Sequence, residues 1–120
     1  MTPSPLAEAS PQMLLILSSP HFTASRSRIA ELAISYRLPT MFIFKTYVEA
    51  GGLLSYGADY IAMHRQAATQ VVKILKGTKP GDIPIEQPNR FEFVVNLKTA
   101  KAIGVELPTS ILLRADEVIE

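Results

Sequence analysis

The chain has 120 residues, of which 48% are hydrophobic and 19% are charged, a composition that predicts one globular domain and excludes a disordered chain. The chain contains twelve Lys and Arg and eleven Asp and Glu, which gives a formal net charge of +1. The basic residues are spread along the sequence and form no dense cluster, which disfavours nucleic-acid binding. The absence of cysteine excludes disulfides, thiolate metal sites and cysteine nucleophiles.

The first residues carry no targeting pattern. Residues 1–11 contain three prolines and no Lys or Arg, and the apolar run that follows, at 13–17, is five residues long. A secretory signal needs a basic start and a longer apolar run, and a membrane span needs about 20 apolar residues. We therefore expect residues 1–12 to be a flexible leader without a signal peptide, and the chain as it stands to be cytoplasmic.

The first half of the chain alternates short apolar runs with helical patterns. Continuous apolar runs at 13–17 and 40–44 predict strands that are buried on both faces, as in a parallel sheet. Between them, apolar residues spaced three and four apart predict a helix at 25–36. A short helix at 45–50 ends at two glycines, and 53–56 is a third extended segment.

The second half contains the longest helical pattern and then further strand and helix signals. In chain order we expect a helix at 58–76, a proline-rich extended loop at 79–89, a strand at 91–95 and helices at 97–103 and 109–114. We expect residues 115–120 to have no regular secondary structure. Alternation of strands and helices with short turns predicts an α/β fold. We expect a mainly parallel, three- to four-stranded sheet flanked by helices.

Polar and aromatic residues follow the first three predicted strands at their carboxyl ends, where ligands bind in open α/β sheets. An aromatic ring, hydroxyls and exposed backbone suit a zwitterionic or aromatic solute. The alternatives are a serine-capped turn after the first strand, core packing of the phenylalanine after the second, and a hinge turn after the third. The candidate ligand-binding residues are Ser18, Ser19, Phe44, Thr46, Ser55, Tyr56 and Gly57.

Catalytic and metal-binding patterns are weak in this sequence. His21 and His64 stand alone, without the spacing of metal ligands. Ser55 lacks the two-glycine frame of a nucleophile elbow, and Gly51-Gly52 follows a short helix instead of opening one after a strand. We therefore expect no catalytic residue, no metal and no cofactor.

Seven short segments carry a resemblance to a known family. They read RIAELA at 28–33, LPT at 38–40, EAGGLLSYG at 49–57, ILKG at 74–77, PGDIPIEQP at 80–88, NLKTAK at 96–101 and ADEVI at 115–119. In this order and spacing they resemble the C-terminal part of the ABC transporter substrate-binding protein family that includes the tryptophan/tyrosine-type binding proteins. Each segment is a weak signal alone, and their joint occurrence is a strong one.

This resemblance implies a fold similar to type I periplasmic binding proteins, with two α/β lobes, a three-segment hinge and a solute between the lobes. It implies that 13–52 belong to the second lobe, 53–57 to a hinge crossover, 58–77 to a long helix of the other lobe and 78–120 to a return segment. The loop of Ser18 and Ser19 would lie at the cleft rim as hydrogen-bond donors. The family also implies a small amino-acid-like solute, an ABC permease as partner and an extracytoplasmic location.

The sequence departs from the family in length, because it resembles only about the last third of such a protein, and a complete cleft needs more than one chain. The chain is then a truncated relative or an excised piece. Two functions remain open: the solute-binding component of an ABC-type importer, or a self-associating structural module without ligand. Because truncation exposes apolar surface, we expect a homodimer or larger homo-oligomer, with exchange of the 58–76 helix as one route.

Overall fold

The computed structural model describes residues 5–120, and these divide into two compact units. The first unit holds the described residues up to Gly57 together with Glu92–Glu120, and the second is Ala58–Phe91. The predicted hinge at 53–57 ends where the first unit gives way to the second. The assignment of 58–77 to another lobe and of 78–120 to a return segment stays a prediction.

Five strands form a single sheet in the order β1-β2-β3-β4-β5. Their bounds are Leu14–Ile16 for β1, Thr40–Phe42 for β2, Leu54–Ala58 for β3, Phe91–Asn96 for β4 and Glu117–Ile119 for β5. β1, β2 and β3 are parallel to one another, and β4 is parallel to β5. The predicted class, a mainly parallel α/β fold, is confirmed.

The strand β4 runs antiparallel to β3. The Asn96 amide donates to the Leu53 carbonyl at 2.8 Å, and the Phe93 ring lies 6.4 Å from the Tyr56 ring. Residues later in β4 therefore face residues earlier in β3, which is the antiparallel arrangement. As a result, the amino end of β4 lies at the same edge of the sheet as the carboxyl end of β3.

Seven α-helices and one short 3₁₀-helix accompany the strands within residues 5–120. The α-helices are α1 (Pro5–Ala9), α2 (Pro20–Ala24), α3 (Arg26–Ser35), α4 (Lys45–Glu49), α5 (Tyr60–Leu75), α6 (Leu97–Ile103) and α7 (Thr109–Leu112), and the 3₁₀-helix is Pro80–Asp82. Of the predicted leader at 1–12, residues 1–4 lie outside the described part, while α1 occupies Pro5–Ala9. In the part of the chain that the structure describes, no helix is long and apolar enough to cross a membrane.

The core lies in the first unit and consists of two apolar clusters. In the first, Phe42 and Tyr47 stack with their ring centroids 4.7 Å apart, and Ile16 packs beside them. The second joins Leu53 to the apolar side of α6. In the second unit no residue is fully buried. The hydrophobic free energy of folding therefore comes mainly from the first unit.

Two features of the sheet differ from the sequence-based expectations. The structure contains a further strand, β5, at Glu117–Ile119, where no regular secondary structure was expected. Parallel pairing with β4 holds this segment in an extended conformation. The first strand was expected to be buried on both faces, yet the Leu15 side chain is 59% exposed. β1 is one of the two edge strands of the sheet, and its two faces differ, since Ile16 is only 8% exposed.

We predict that Asn96→Ala destabilises the fold by about 1–3 kcal/mol, because it removes a helix cap and a buried hydrogen bond together. Asn96 Oδ1 accepts from the Thr99 amide at 3.0 Å, and its Nδ2 donates to the Val48 carbonyl at 3.2 Å. Urea unfolding followed by circular dichroism measures the change. Lys98→Ala, at an exposed position of α6, is the control. Equal stability of the two variants would contradict this role for Asn96.

Candidate functional site

The loop after β1 carries the first two candidate residues, Ser18 and Ser19. Ser19 is the N-cap of α2, and its Oγ accepts from the Phe22 amide at 3.2 Å. The Ser19 carbonyl accepts from Thr23 Oγ1 at 3.0 Å, and Thr23 Oγ1 in turn lies 2.8 Å from the Tyr47 hydroxyl. The hydroxyl of Ser19 is thus used in capping, whereas Ser18 is exposed.

The segment after β2 carries Phe44 and Thr46. Phe44 occupies the N-cap position of α4 and is partly buried against the cluster of Ile16, Phe42 and Tyr47. Thr46, two residues later on α4, is exposed. Phe44 therefore contributes packing at this strand end, and Thr46 presents a hydroxyl to the surface.

The remaining three candidates all lie in β3 and differ in their exposure to solvent. Ser55 is 1% exposed and lies opposite Phe42 in the sheet, whereas Tyr56 is 55% exposed, because successive side chains of a strand point to opposite faces. Gly57 lies against the Ile43 backbone, and a Cβ at this position would come within 2.3 Å of the Ile43 carbonyl oxygen. The structure thus brings Tyr56 to the surface and buries Ser55.

A pocket of about 360 Å³ surrounds Tyr56 and contains residues that the sequence did not point to. Met41, Tyr56, Phe93, Arg114 and Asp116 line it, and the rings of Tyr56 and Phe93 meet edge to face at 6.4 Å. Most of this lining is apolar, with an acidic and a basic side chain at one side. An aromatic floor beside two opposite charges is suited to a zwitterion with an apolar side chain.

The two charged side chains of the pocket differ in their partners, since Asp116 is held by a hydrogen bond and Arg114 forms no ion pair among the described residues. Asp116 Oδ2 accepts from the Phe93 amide at 2.7 Å, and the Asp116 amide donates to the Phe93 carbonyl at 2.8 Å, which fixes the carboxylate beside the ring. Arg114 is exposed and forms no ion pair with the residues that the structure describes. Its guanidinium is therefore available for an anionic group.

Lys45, at the start of α4, is already paired. Its Nζ lies 2.6 Å from Glu117 Oε2 and 3.5 Å from Glu49 Oε1. The hydrogen bond with Glu117 is the main reason that the pKa of Lys45 is raised above its ordinary value of 10.5. The lysine therefore stays protonated at neutral pH, and two carboxylates already balance its charge, so it is a weaker anion site than Arg114.

Sequence reasoning missed Phe93, Arg114 and Asp116 because it considered only strands that end at this edge. β4 begins there because it is antiparallel to β3, and β5 begins there because it is parallel to β4. The signal that could have found these residues is the apolar pair Val118-Ile119 after the turn-forming Asp116. A strand at that position would have placed Arg114 and Asp116 beside the other strand ends.

The family model of ABC transporter substrate-binding proteins matches residues 7–119. The chain belongs to this family. The family assignment made from seven short segments is therefore confirmed. This is a family of substrate-binding proteins and not of enzymes. Within residues 5–120, no group of three or more His, Asp and Glu side chains is placed to hold a metal ion.

Individual proteins resemble the chain over a part of their own length. A protein named tyrosine-binding protein, from Clostridioides difficile, is 26% identical over 78 residues, which are 65% of this chain and 23% of that protein. A conserved domain protein from Vibrio cholerae has a TM-score of 0.87 and 26% identity, over 94% of this chain and 38% of the other. The ABC domain from Streptococcus pneumoniae in complex with L-Trp has a TM-score of 0.84 and 24% identity, over 95% and 40%. The chain thus spans less than half the length of each of these proteins.

We predict that Gly57→Ala destabilises the first unit by about 1–3 kcal/mol, since the added methyl group meets the Ile43 backbone instead of a flexible side chain. Urea unfolding measures the change against Gly81→Ala. A Cβ at Gly81 would have no atom within 4 Å, so that variant should be close to neutral. Unfolding of the two alanine variants at the same urea concentration would contradict a close contact between Gly57 and the Ile43 backbone.

Proposed function

We propose that the chain is the solute-binding component, or a part of it, of an ABC-type importer, and that its solute is amino-acid-like and aromatic. The observation that carries this proposal is the pocket in which the ring pair Tyr56 and Phe93 lies beside Arg114 and Asp116. Two of the similar proteins support it by what their names state: one is a tyrosine-binding protein, and one, similar in fold, was solved with L-Trp.

The aromatic part of the solute packs against Tyr56 and Phe93. Their rings are inclined at 69° to each other, so a third ring can stack on one and meet the edge of the other. Such aromatic contacts contribute about 0.5–1.5 kcal/mol each beyond the area that they bury. The Met41 side chain, also in the lining, adds a polarisable apolar surface that adapts to the shape of the ring.

The charged part of the solute is recognised by Arg114 and Asp116. The planar guanidinium of Arg114 binds the α-carboxylate through paired hydrogen bonds. Asp116 attracts the α-ammonium group, and its hydrogen bond to the Phe93 amide keeps the carboxylate in place before the solute arrives. A residue of each sign therefore selects an amino acid over a simple amine or a simple acid.

The other candidate residues have supporting roles in this proposal. Ser18 and Thr46, both exposed at the same edge of the sheet, are polar contacts for the rim of the bound solute. Ser19 holds the loop after β1 through its cap, Phe44 packs against the core, and Ser55 and Gly57 fix the strand that carries Tyr56.

The chain by itself encloses only part of a solute. Good binding sites bury about 70–90% of a ligand's surface, whereas this pocket is open to solvent on one side. We therefore propose millimolar affinity for the isolated chain and a second protein surface that closes the site. In a complete receptor, which lies outside the cytoplasm, the other lobe supplies that surface, and an ABC permease receives the solute. For this chain, we propose a homo-oligomer.

We predict that L-tryptophan binds the chain with a dissociation constant in the millimolar range, measured by NMR titration of backbone amides. Tyr56→Ala should weaken binding about fivefold, through the lost ring contact. Arg114→Met should weaken it similarly for L-tryptophan but not for tryptamine, which lacks the carboxylate. Lys101→Met, at an exposed position of α6, is the matched control. Unchanged affinity in both Tyr56→Ala and Arg114→Met would refute the pocket as the binding site.

A further inference from the structure

An ion pair joins the start of α4 to the start of β5 within the first unit. Lys45 Nζ lies 2.6 Å from Glu117 Oε2 and 3.5 Å from Glu49 Oε1. Lys45 and Glu49 are the first and last residues of α4, whereas Glu117 is the first residue of β5. The shorter contact therefore connects two distant segments of the chain, and the longer one stays within a single short helix.

This ion pair lies on the opposite face of the sheet from the solute pocket. Phe93 and Val94 are successive residues of β4, so their side chains point to opposite faces, and Phe93 lines the pocket. Glu117 lies opposite Val94 in the register of β4 and β5, and thus shares the face of Val94. No residue of α4 lines the pocket. Lys45 therefore holds the start of β5 from behind the pocket and does not touch a solute in it.

The charged residues of the pocket lie in the turn that leads from α7 into β5. The Arg114 amide donates to the Ile111 carbonyl at 3.1 Å, a bond within the turn itself. Asp116 is joined to β4 by its two bonds with Phe93, at 2.7 and 2.8 Å. Glu117, the next residue, is joined to α4 by the ion pair with Lys45.

The strand that follows this turn is weakly held by its own packing. β5 has three residues, lies at an edge of the sheet, and contains no fully buried residue. Elements with few buried contacts and exposed backbone hydrogen bonds open locally at a small free-energy cost. The ion pair of Lys45 and Glu117 opposes this opening at the residue next to Asp116.

We propose that Lys45 is a positioning residue for the solute, because its contact with Glu117 fixes the start of β5 and so places Arg114 and Asp116 for the two charged groups of an amino acid. The inference rests on the proposed function of the pocket. Binding groups need to be held within about 0.5 Å of their productive positions by the residues behind them. The raised pKa of Lys45 keeps its ammonium group charged at neutral pH.

Glu117→Met and Glu49→Met form a matched pair of variants, because each removes one carboxylate partner of the same lysine and only Glu117 belongs to β5. Without solute, Glu117→Met should raise the hydrogen-exchange rate of the Asp116 amide by about threefold to fivefold, as measured by NMR. Glu49→Met should leave that rate close to the wild-type value. Equal rates in the two variants would overturn the positioning role, whether or not a solute binds.

Titration with L-tryptophan and with indole separates positioning from a general loss of structure. Lys45→Met should raise the dissociation constant for L-tryptophan by about threefold, since Arg114 and Asp116 are held less firmly. It should leave the dissociation constant for indole, which lacks both charged groups, unchanged. Lys45→Arg keeps a cation at this position and should restore the affinity for L-tryptophan.

Two results of the titration would contradict the role of Lys45. These are an unchanged affinity of Lys45→Met for L-tryptophan, and an equal loss of affinity for L-tryptophan and indole. A wild type that does not bind L-tryptophan would refute the proposed function and with it the link to the solute. The exchange rates of the Asp116 amide test its anchoring independently of that outcome.

Discussion

The hydrogen bonds of one buried side chain, Asn96, hold β4 and α6 against the earlier segments of the first unit. Asn96 is the last residue of β4, caps α6 through the Thr99 amide, and donates to the Val48 carbonyl in the last turn of α4. Thr99 Oγ1 adds a bond to the Gly51 carbonyl at 2.9 Å. These bonds join residues 48 positions apart in the chain. They fix β4 beside β3, and thus set Phe93 opposite Tyr56 and β5 at its position.

Much of the fold is predicted by local patterns in the sequence. The predicted helix at 97–103 matches α6 at both ends, since Asn96 caps it and Gly104, with φ of +76°, ends it. The long helix of 58–76 begins two residues later than expected, because Asp59 is the N-cap and its carboxylate accepts from the Ala62 amide. These elements were predictable because their caps and apolar spacing lie within one segment.

The parts that were not predictable depend on contacts between distant segments. β5 has only three residues, and it forms a strand because Val118 lies opposite Val95 in the sheet. The exposed position of Leu15 depends on what packs on that face of the sheet, which the apolar sequence of β1 does not reveal. At the candidate site, the sequence named Ser55 and Tyr56 together. Only the register of β3 decides that the serine is buried and the tyrosine faces the pocket.

We propose above that an aromatic amino acid binds over Tyr56 and Phe93, on the same face of the sheet as Met41. Intermolecular nuclear Overhauser effects between the indole protons of L-tryptophan and the protein test it most directly, because they locate the ligand even at millimolar affinity. We predict contacts to the Tyr56 and Phe93 rings and to the Met41 methyl group. Contacts confined to the loop of Ser18 and Ser19, or to α5, would contradict it.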